Sequence, residues 1–207
     1  MSKGYIVSGT DTGIGKTTVA AMLLLALDAL YWKPIQSGIQ DGTDRERVQA
    51  LTHLPAERLL PERYVLSQPL SPHRAAELDG VAIEPKTLAM PAAERTLVIE
   101  GAGGLMVPIT RHFLQIDLFS EWELPVILCA RTALGTINHT LLSIEALRSR
   151  RMRLHGLIFV GDDNPDNIRT IAEISGARVL GRLPRLETLD RAALLDAFAR
   201  GFRREDF

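Results

Sequence analysis

The chain has 207 residues, of which 46% are hydrophobic, 24% charged and 5% aromatic. This balance is typical of an ordinary globular protein, and the length suits a single domain over residues 1–207. The formal net charge of −1 provides no overall field that would attract nucleic acid or an anionic membrane, so neither is predicted as a partner.

Short apolar runs alternate with helical runs along the chain. The predicted strands cover residues 5–9, 31–34, 96–101, 125–130, 154–161 and 178–184. The predicted helices start at Thr17 and then cover residues 44–54, 84–94, 113–122, 136–150, 165–175 and 188–202. Residues 55–84 contain several prolines and are expected to be the least regular part. Continuous apolar strands separated by helices favour an α/β fold, with a mostly parallel β-sheet flanked by helices.

Two other features bear on location. Cys129 is the only cysteine and lies in the apolar run "PVILCA", so it is expected to be a buried, inert thiol. A chain that cannot form an internal disulfide agrees with a cytoplasmic location, and no secretory signal is visible. The apolar segment 19–32 is short and contains Asp28, so a buried helix is predicted rather than a membrane span.

The stretch "SGTDTGIGKTT" at residues 8–18 resembles two kinds of phosphate-binding loop. Its glycines are similar to those of a short-chain dehydrogenase, but that class needs a Tyr-x-x-x-Lys pair. None of the four lysines (Lys3, Lys16, Lys33 and Lys86) has a tyrosine four residues earlier. The alternative is a P-loop, in which Lys16 reaches the β- and γ-phosphates and Thr17 binds magnesium at a helix start. Gly9 lies one residue too early for the standard P-loop pattern, yet this interpretation is favoured.

Residues that follow other strands supply what a P-loop needs. In open parallel sheets, ligands bind beyond the carboxyl ends of the strands. Glu100 ends the run "LVIE" and offers a hard oxygen ligand for magnesium. Asp44 is a second candidate ligand, although it could also be a first-turn acid of a helix. Lys33 precedes Pro34, which keeps it extended, and its ammonium is expected to point into the ligand crevice rather than into solvent.

Six segments together resemble the dethiobiotin synthetase family over nearly the whole chain. They are "GTDTGIGKT", "WKPIQSG", "SPHRAAE", "VIEGAGGLMVPI", "PVILCARTALGTINHTLL" and "LGRLP". The resemblance implies a P-loop NTPase fold and an ATP-dependent ligase of biotin synthesis. Its substrates would be 7,8-diaminopelargonic acid, CO2 and ATP, with Mg2+ as cofactor. The reaction would pass through a carbamate and a carbamic–phosphoric anhydride before the cyclic urea closes.

The resemblance also implies roles for individual residues. Lys33, Lys16 and Thr12 would be catalytic, with Lys33 holding carbamate and phosphoryl oxygens. Thr17, Asp44 and Glu100 resemble the magnesium ligands. The nucleotide-binding set comprises Gly13, Ile14, Gly15, Lys16, Thr17, Thr18, Asp44, Glu100, Gly101, Ala102, Gly103, Gly161, Leu183, Pro184 and Arg185.

Substrate contacts would come from two places. Ser37 is similar to a residue that touches the substrate. Gly135, Thr136 and Asn138 open a helix that, in the family, receives the substrate carboxylate from the neighbouring subunit. A homodimer with its active site at the subunit interface is therefore implied, while His139 on the same helix is expected to be structural.

Two departures from the family pattern are visible. The segment between Lys16 and Lys33 is shorter than usual, so the strand before Lys33 is expected to be short. The asparagine that commonly reads adenine is absent, and Val160, Gly161 and Asp162 stand in its place, which leaves the base selectivity open.

Two other functions are compatible with a phosphate-binding loop in an α/β fold. An amide-forming ligase of cobalamin synthesis carries an additional amidotransferase domain, for which 207 residues leave no room. A non-enzymatic partitioning-type ATPase switch has a lysine four positions before Gly15, and this chain has Asp11 there.

Overall fold

A computed structural model describes residues 3–207. The helices are α1 (Lys16–Ala26), α2 (Asp44–Thr52), α3 (Pro72–Asp79), α4 (Gln115–Trp122), α5 (Thr136–Ser149), α6 (Pro165–Ser175) and α7 (Arg191–Gly201). The strands are β1 (Gly4–Gly9), β2 (Leu30–Trp32), β3 (Ile35–Ser37), β4 (Leu59–Leu60), β5 (Tyr64–Leu66), β6 (Leu97–Gly104), β7 (Pro108–Thr110), β8 (Phe113–Leu114), β9 (Val126–Arg131), β10 (Leu154–Val160) and β11 (Val179–Leu183).

Seven strands form one central sheet in the order β11-β10-β9-β1-β6-β2-β4. Its neighbouring strands pair in parallel, so the carboxyl ends of β1, β2, β6, β9 and β10 meet at one edge. The pairs β3–β5 and β7–β8 form two small separate sheets. The predicted parallel sheet with flanking helices is confirmed, and the six predicted strands correspond to β1, β2, β6, β9, β10 and β11.

Apolar side chains pack on both faces of the sheet. One core contains Val7, Tyr31 and Val98 together with α1, and the other contains Ile6, Trp32 and Ile99. Alternate residues of a strand point to opposite faces, and continuous apolar strands therefore fill two cores at once.

Helix α1 is enclosed on nearly all sides. Its residues from Val19 to Leu24 are 0% exposed, and it packs against α2, α7 and β6. The helix ends before Asp28, whose backbone has a φ of 52° and whose carboxylate pairs with Arg58 and Arg95. The predicted buried helix is thus shorter than the apolar segment 19–32, and β2 before Lys33 has only three residues, as expected.

In the middle of the chain, one predicted helix is wrong and one helix was not predicted. The helix predicted over 84–94 is a single 3-10 turn at Pro85–Leu88, because Pro91 cannot continue a helix. Residues 55–84, expected to be the least regular part, contain the unpredicted helix α3, which starts at Pro72 and ends at Asp79, before Gly80 with a φ of 66°. A proline in the first turn and a left-handed glycine after the last turn are both favourable helix ends.

Candidate active site

The loop between β1 and α1 has the geometry of a phosphate cradle. Gly13 and Gly15 have φ values of 68° and 95°. Residues other than glycine rarely adopt this region of backbone conformation. Gly15 has no side chain with which to cap α1, so the first N–H groups of this helix face the crevice. The Lys16 ammonium donates a hydrogen bond to the Asp11 carbonyl oxygen at 2.9 Å and thereby closes the loop.

A second strand braces this loop. The Thr10 N–H donates to the Cys129 carbonyl oxygen at 3.0 Å, and the Arg131 guanidinium donates to the Thr12 carbonyl oxygen at 2.9 Å. Cys129 is fully buried, and burial raises the pKa of its thiol to about 12, which agrees with the expected inert role. Arg131 was not assigned a role from the sequence, although its place at the end of β9 is the signal that could have found it.

Four predicted residues converge beside the loop. The Lys33 ammonium lies between two carboxylates, donating to Asp44 Oδ2 and, at 3.1 Å, to Glu100 Oε1. The Thr17 hydroxyl donates to the same Glu100 oxygen at 2.8 Å. Lys33 is 6% exposed and Glu100 is 1% exposed, so the structure confirms that Lys33 points inward rather than into solvent.

Charge compensation governs this cluster. Burial alone would lower the pKa of Lys33, but the charges of Glu100 and Asp44 outweigh it and raise that pKa. Burial alone would likewise raise the pKa of Asp44, but Lys33 holds it below its usual range. Burial lowers the pKa of Lys16, and the charge of Glu100 opposes this shift in part. The raised pKa of Lys33 therefore keeps its ammonium charged between the carboxyl groups of Asp44 and Glu100.

Two residues that sequence reasoning missed hold these acids in place. The Tyr31 hydroxyl donates to Glu100 Oε2 at 2.8 Å. The Gln36 side-chain oxygen accepts the Asp44 N–H at 3.1 Å at the start of α2, whose Thr43 cap also accepts the Glu46 N–H. Their signal in the sequence is proximity to Lys33, since both lie within three residues of it.

The site opens into two cavities that meet at the loop. The larger cavity, of about 800 Å³, is lined by residues that include Thr12, Lys16, Thr17, Thr18, Lys33, Ser37, Asp44 and Glu100. The smaller cavity, of about 480 Å³, is lined by residues that include Ile14, Arg131, Val160, Gly161, Asp162, Asn164 and Arg185. Gly13 and Gly15 line both. All three predicted catalytic residues therefore border one cavity.

The segment after Glu100 differs in part from the predicted backbone cradle. Gly101, Ala102 and Gly103 lie within β6, and only Ala102 and Gly103 border the larger cavity. A Cβ atom on Gly101 would come within 2.7 Å of Phe119, so this glycine is required by packing. The Ala102 N–H already donates to the buried side-chain oxygen of Gln115 at 2.6 Å.

The predicted base-binding residues are only partly at the smaller cavity. Gly161 and Arg185 line it, whereas Leu183 and Pro184 do not. The Leu183 side chain is buried, and its carbonyl oxygen accepts the Gly161 N–H at 3.0 Å. Leu183 therefore positions Gly161 instead of facing the cavity.

The start of α5 lies outside both cavities. Gly135 and Asn138 are exposed, and the buried Thr136 hydroxyl donates to the Arg131 carbonyl oxygen. Leu134 is 103% exposed and Leu142 is 61% exposed. Within one chain, these predicted substrate contacts are thus not brought to Lys33.

The oxygen donors beside Lys33 suit a divalent cation of the magnesium type. Thr17 Oγ and the carboxylates of Asp44 and Glu100 are hard ligands grouped at the start of the P-loop helix. Residues 3–207 contain no group of three or more His, Cys, Asp or Glu side chains placed to hold a metal. The hydroxyl of Thr17 and the carboxylates of Asp44 and Glu100 fit Mg2+, which binds one or two carboxylates and takes further oxygens from phosphate and water.

The parallel sheet and the glycine loop with its lysine and threonine define a P-loop nucleotide-binding protein. A family model described as an AAA domain matches residues 3–193. The ATP-dependent dethiobiotin synthetase BioD of Rhodopseudomonas palustris strain TIE-1 is 59% identical over 207 residues, which are all of this chain and 98% of that protein. The protein of the same name from Novosphingobium aromaticivorans is 55% identical over 203 residues, 98% of each chain.

The chain belongs to the ATP-dependent dethiobiotin synthetase family, as its motifs predict. The predicted ATP-dependent enzyme is confirmed at this level. The names of these relatives support neither the partitioning switch nor the cobalamin ligase.

Solved structures with a similar fold are more distant in sequence. A ParA family ATPase from Chlorobium tepidum has a TM-score of 0.59 and 13% identity, covering 95% of this chain and 90% of that chain. The cell division ATPase MinD of Pyrococcus furiosus has a TM-score of 0.56 and 14% identity, covering 100% and 98%. These likenesses show the fold alone.

Among the helices of residues 3–207, none combines the length and the apolar character that crossing a bilayer requires.

Proposed function

We propose that this chain catalyses the ATP-dependent carboxylation and ring closure of 7,8-diaminopelargonic acid to dethiobiotin. The observation that carries the proposal is the larger cavity, where Lys16, Thr17, Lys33, Asp44 and Glu100 converge in a chain 59% identical to a dethiobiotin synthetase. One amine of the substrate adds to CO2, and a carbamate oxygen then attacks the γ-phosphorus and releases ADP. The second amine attacks the carbonyl carbon, expels phosphate and closes the cyclic urea.

The chain's own residues hold anions for this reaction. The Lys16 ammonium and the first N–H groups of α1 bind the β- and γ-phosphates. Lys33 remains charged beside Asp44 and Glu100, and its ammonium stabilises the negative charge that carbamate and phosphoryl oxygens share as they meet. Thr12, on the exposed turn before Gly13, faces the same oxygens, and Ser37 contacts the substrate from the opposite wall. Positioning and charge stabilisation are what a phosphoryl transfer asks of the protein.

Thr17, Asp44 and Glu100 would hold Mg2+. When bound, this ion neutralises charge on the transferring phosphoryl group. The Thr17 hydroxyl and Glu100 Oε1 already lie 2.8 Å apart, which supports their serving one cation together.

The proposal includes a homodimer in the cytoplasm. Exposed Leu134 and Leu142 offer an apolar surface at α5, and Asn138 lies on the same face as Leu142 because the two are four residues apart. A partner helix presented this way would place its N-terminal dipole near the substrate carboxylate. Residues 1–207 would act as a single domain, since α7 packs on the P-loop helix.

The direct test is incubation of the protein with diaminopelargonic acid, bicarbonate and Mg-ATP. Phosphate release should depend on the diamine, and mass spectrometry should detect dethiobiotin. Phosphate release that proceeds equally without the diamine, with no dethiobiotin formed, would contradict the proposed reaction.

A further inference from the structure

The hydroxyl group of Tyr31 makes a hydrogen bond that the packing of its ring in the core does not require. Tyr31 is 0% exposed and lies in the core that contains α1. Its hydroxyl donates to Glu100 Oε2 at 2.8 Å, while Glu100 itself is 1% exposed. A phenylalanine would fill the same core volume without a polar atom that must find a partner.

Strand register brings the two side chains together. Strand β2 lies parallel to β6, with Tyr31 opposite Val98 and Trp32 opposite Ile99. Alternation along β6 places Val98 and Glu100 on one face of the sheet, and Tyr31 shares that face. The tyrosine ring therefore reaches along the sheet surface toward the carboxyl edge, where Glu100 is the last buried side chain of β6 before Gly101.

The bond from Tyr31 decides which way the Glu100 carboxylate faces. The terminal torsion of a glutamate is broad, so the carboxylate plane is not fixed by its own rotamer. Here Oε2 accepts from Tyr31, and Oε1 accepts from Thr17 and Lys33. With one oxygen held from the core side, the other is directed at the P-loop helix.

The bond between Tyr31 and Glu100 joins a hydroxyl donor to a carboxylate acceptor. A hydroxyl that donates to a carboxylate makes a charge-assisted hydrogen bond, which is stronger than a neutral one.

We propose that Tyr31 is a positioning residue for the metal site: its hydroxyl fixes the Glu100 carboxylate so that Oε1 faces Thr17 and the bound cation. The inference rests on the proposed magnesium ligands. Partners that hydrogen-bond metal-binding carboxylates contribute to affinity from the second shell of groups around the ion, and the same loss is expected here.

The test compares Tyr31→Phe with the wild-type protein by Mn2+ titration in the presence of ADP, with free Mn2+ followed by electron paramagnetic resonance. The dissociation constant for Mn2+ should rise about tenfold in the variant. The Mg2+ concentration for half-maximal turnover should rise similarly, while the KM for diaminopelargonic acid stays unchanged. Tyr64→Phe is the control, because it also removes a tyrosine hydroxyl with two partners, Thr87 and the Glu84 N–H, neither of which belongs to the proposed metal site.

A double-mutant cycle separates positioning from stability. In a Glu100→Gln background, Tyr31→Phe should change Mn2+ affinity by less than about twofold, since there is no carboxylate left to orient. In Tyr31→Phe, the buried Glu100 carboxylate loses the hydroxyl that donates to it, which can lower stability. The double variant Tyr31→Phe/Glu100→Gln has no carboxylate at this position, so it is expected to fold even if Tyr31→Phe alone unfolds at a lower temperature.

Three results would overturn the inference. They are wild-type Mn2+ affinity in folded Tyr31→Phe, an equal effect of Tyr31→Phe in both backgrounds, and an equal change in Tyr64→Phe. Normal Mn2+ affinity in Glu100→Gln would overturn the metal site as well, and this distinguishes the failure of the proposed ligands from the failure of the role of Tyr31.

Discussion

Lys33 is the residue on which charge compensation at the site depends. Its ammonium contacts both Asp44 and Glu100, so its removal leaves two acids with less compensation in a buried place. The loss of Lys33 therefore has to be separated into an effect on folding and an effect on the reaction.

Lys33→Gln should lower kcat by about 100-fold or more, as the loss of other electrostatic stabilisers does. The KM for ATP should change far less, because the phosphates are held mainly by Lys16 and the loop. Steady-state kinetics at a temperature where circular dichroism shows a folded protein would measure both. The control is Lys86→Gln, which removes an exposed lysine in the turn at Pro85–Leu88. A change confined to the KM for ATP would make Lys33 an ordinary nucleotide contact.

Reading of the nucleotide base also depends on a few residues. Asn164 lines the smaller cavity, but its side-chain nitrogen donates to the Thr132 carbonyl oxygen at 3.0 Å and its oxygen accepts the Asn167 N–H at 3.2 Å. The amide is thus used as the cap of α6. Asp162 pairs with Arg185 at 3.3 Å, and Val160 has no polar side chain.

We expect GTP, CTP and UTP to support the reaction within about tenfold of ATP, a difference of about 1.4 kcal/mol. Discrimination between bases requires donors and acceptors matched to the base edge, and the described side chains offer few that are free. Specificity constants for the four nucleotides are the measurement. A thousandfold preference for ATP would show that another group reads adenine.

At the scale of elements, the P-loop depends on the left-handed backbone of Gly15. A Cβ atom at Gly15 would come within 3.0 Å of Val160, so a side chain there adds a steric contact to the strain of the backbone. Gly176 also has a positive φ, of 65°, but an added Cβ would meet nothing within 4 Å.

Gly15→Ala and Gly176→Ala should therefore behave differently. Both should lose about 1–2 kcal/mol of stability from the left-handed conformation, measurable by denaturant unfolding. Only Gly15→Ala should also weaken nucleotide binding, because the loop must shift away from Val160. Titration with a fluorescent ATP analogue would detect this, and equal nucleotide affinity in the two variants would contradict the role of Gly15 in the cradle.

Some helices and strands can be predicted from the sequence alone, and others cannot. Long apolar runs such as that of β9 and β10 predict their strands, because burial on both faces demands such composition. Strand β4 has two residues, too few for any pattern, and α3 is hidden among prolines that suggest loops. The helix predicted over 84–94 fails because Pro91 cannot continue it beyond one turn. Local composition therefore leads to no correct prediction for β4, for α3 or for residues 84–94.

For the candidate site, the sequence predicts the residues that lie in motifs but not the residues that strand pairing brings to them. Five residues lie in recognisable motifs and line the larger cavity together, namely Lys16, Thr17, Lys33, Asp44 and Glu100. The contact of Tyr31 with Glu100 depends on the register of β2 against β6, and that of Arg131 with Thr12 depends on β9 lying beside β1. Register between strands distant in sequence is a tertiary property, so these supporting residues escaped the motif analysis.

At the scale of the whole molecule, the proposed active site spans two subunits. Each site would combine Lys33 of one chain with the start of α5 of the other. A dimer that mixes two differently damaged chains then contains one site with both defects and one with neither.

Mixing Lys33→Gln with Asn138→Asp subunits should restore activity that neither variant has alone. Random reassortment of equal amounts should give about a quarter of the wild-type rate, since half of the dimers are hybrids with one intact site. Activity after subunit exchange is the readout, with sedimentation velocity as a check on the dimer. A monomer at assay concentrations, or exchange without recovery, would contradict the shared site.

The enclosure of α1 has a consequence for motion. A helix whose residues from Val19 to Leu24 are fully buried opens only when the protein unfolds globally, whereas exposed loops open locally at little cost. The P-loop is attached to this helix and forms a fixed floor of the site. The opposite wall of the site contains Ser37 and Asp44, which flank the exposed residues 39–42. We therefore expect this wall, and not the P-loop, to move when the site closes around a ligand.

Amide hydrogen exchange should separate the two parts. Amides of α1 should exchange as slowly as global unfolding allows, with and without a non-hydrolysable ATP analogue and Mg2+. Amides of residues 38–43 should exchange fast in the free protein and slow down on binding. If α1 were the part that gained protection while residues 38–43 stayed unchanged, the floor would be the moving element, and substrate capture would proceed by ordering the phosphate loop instead of closing the wall.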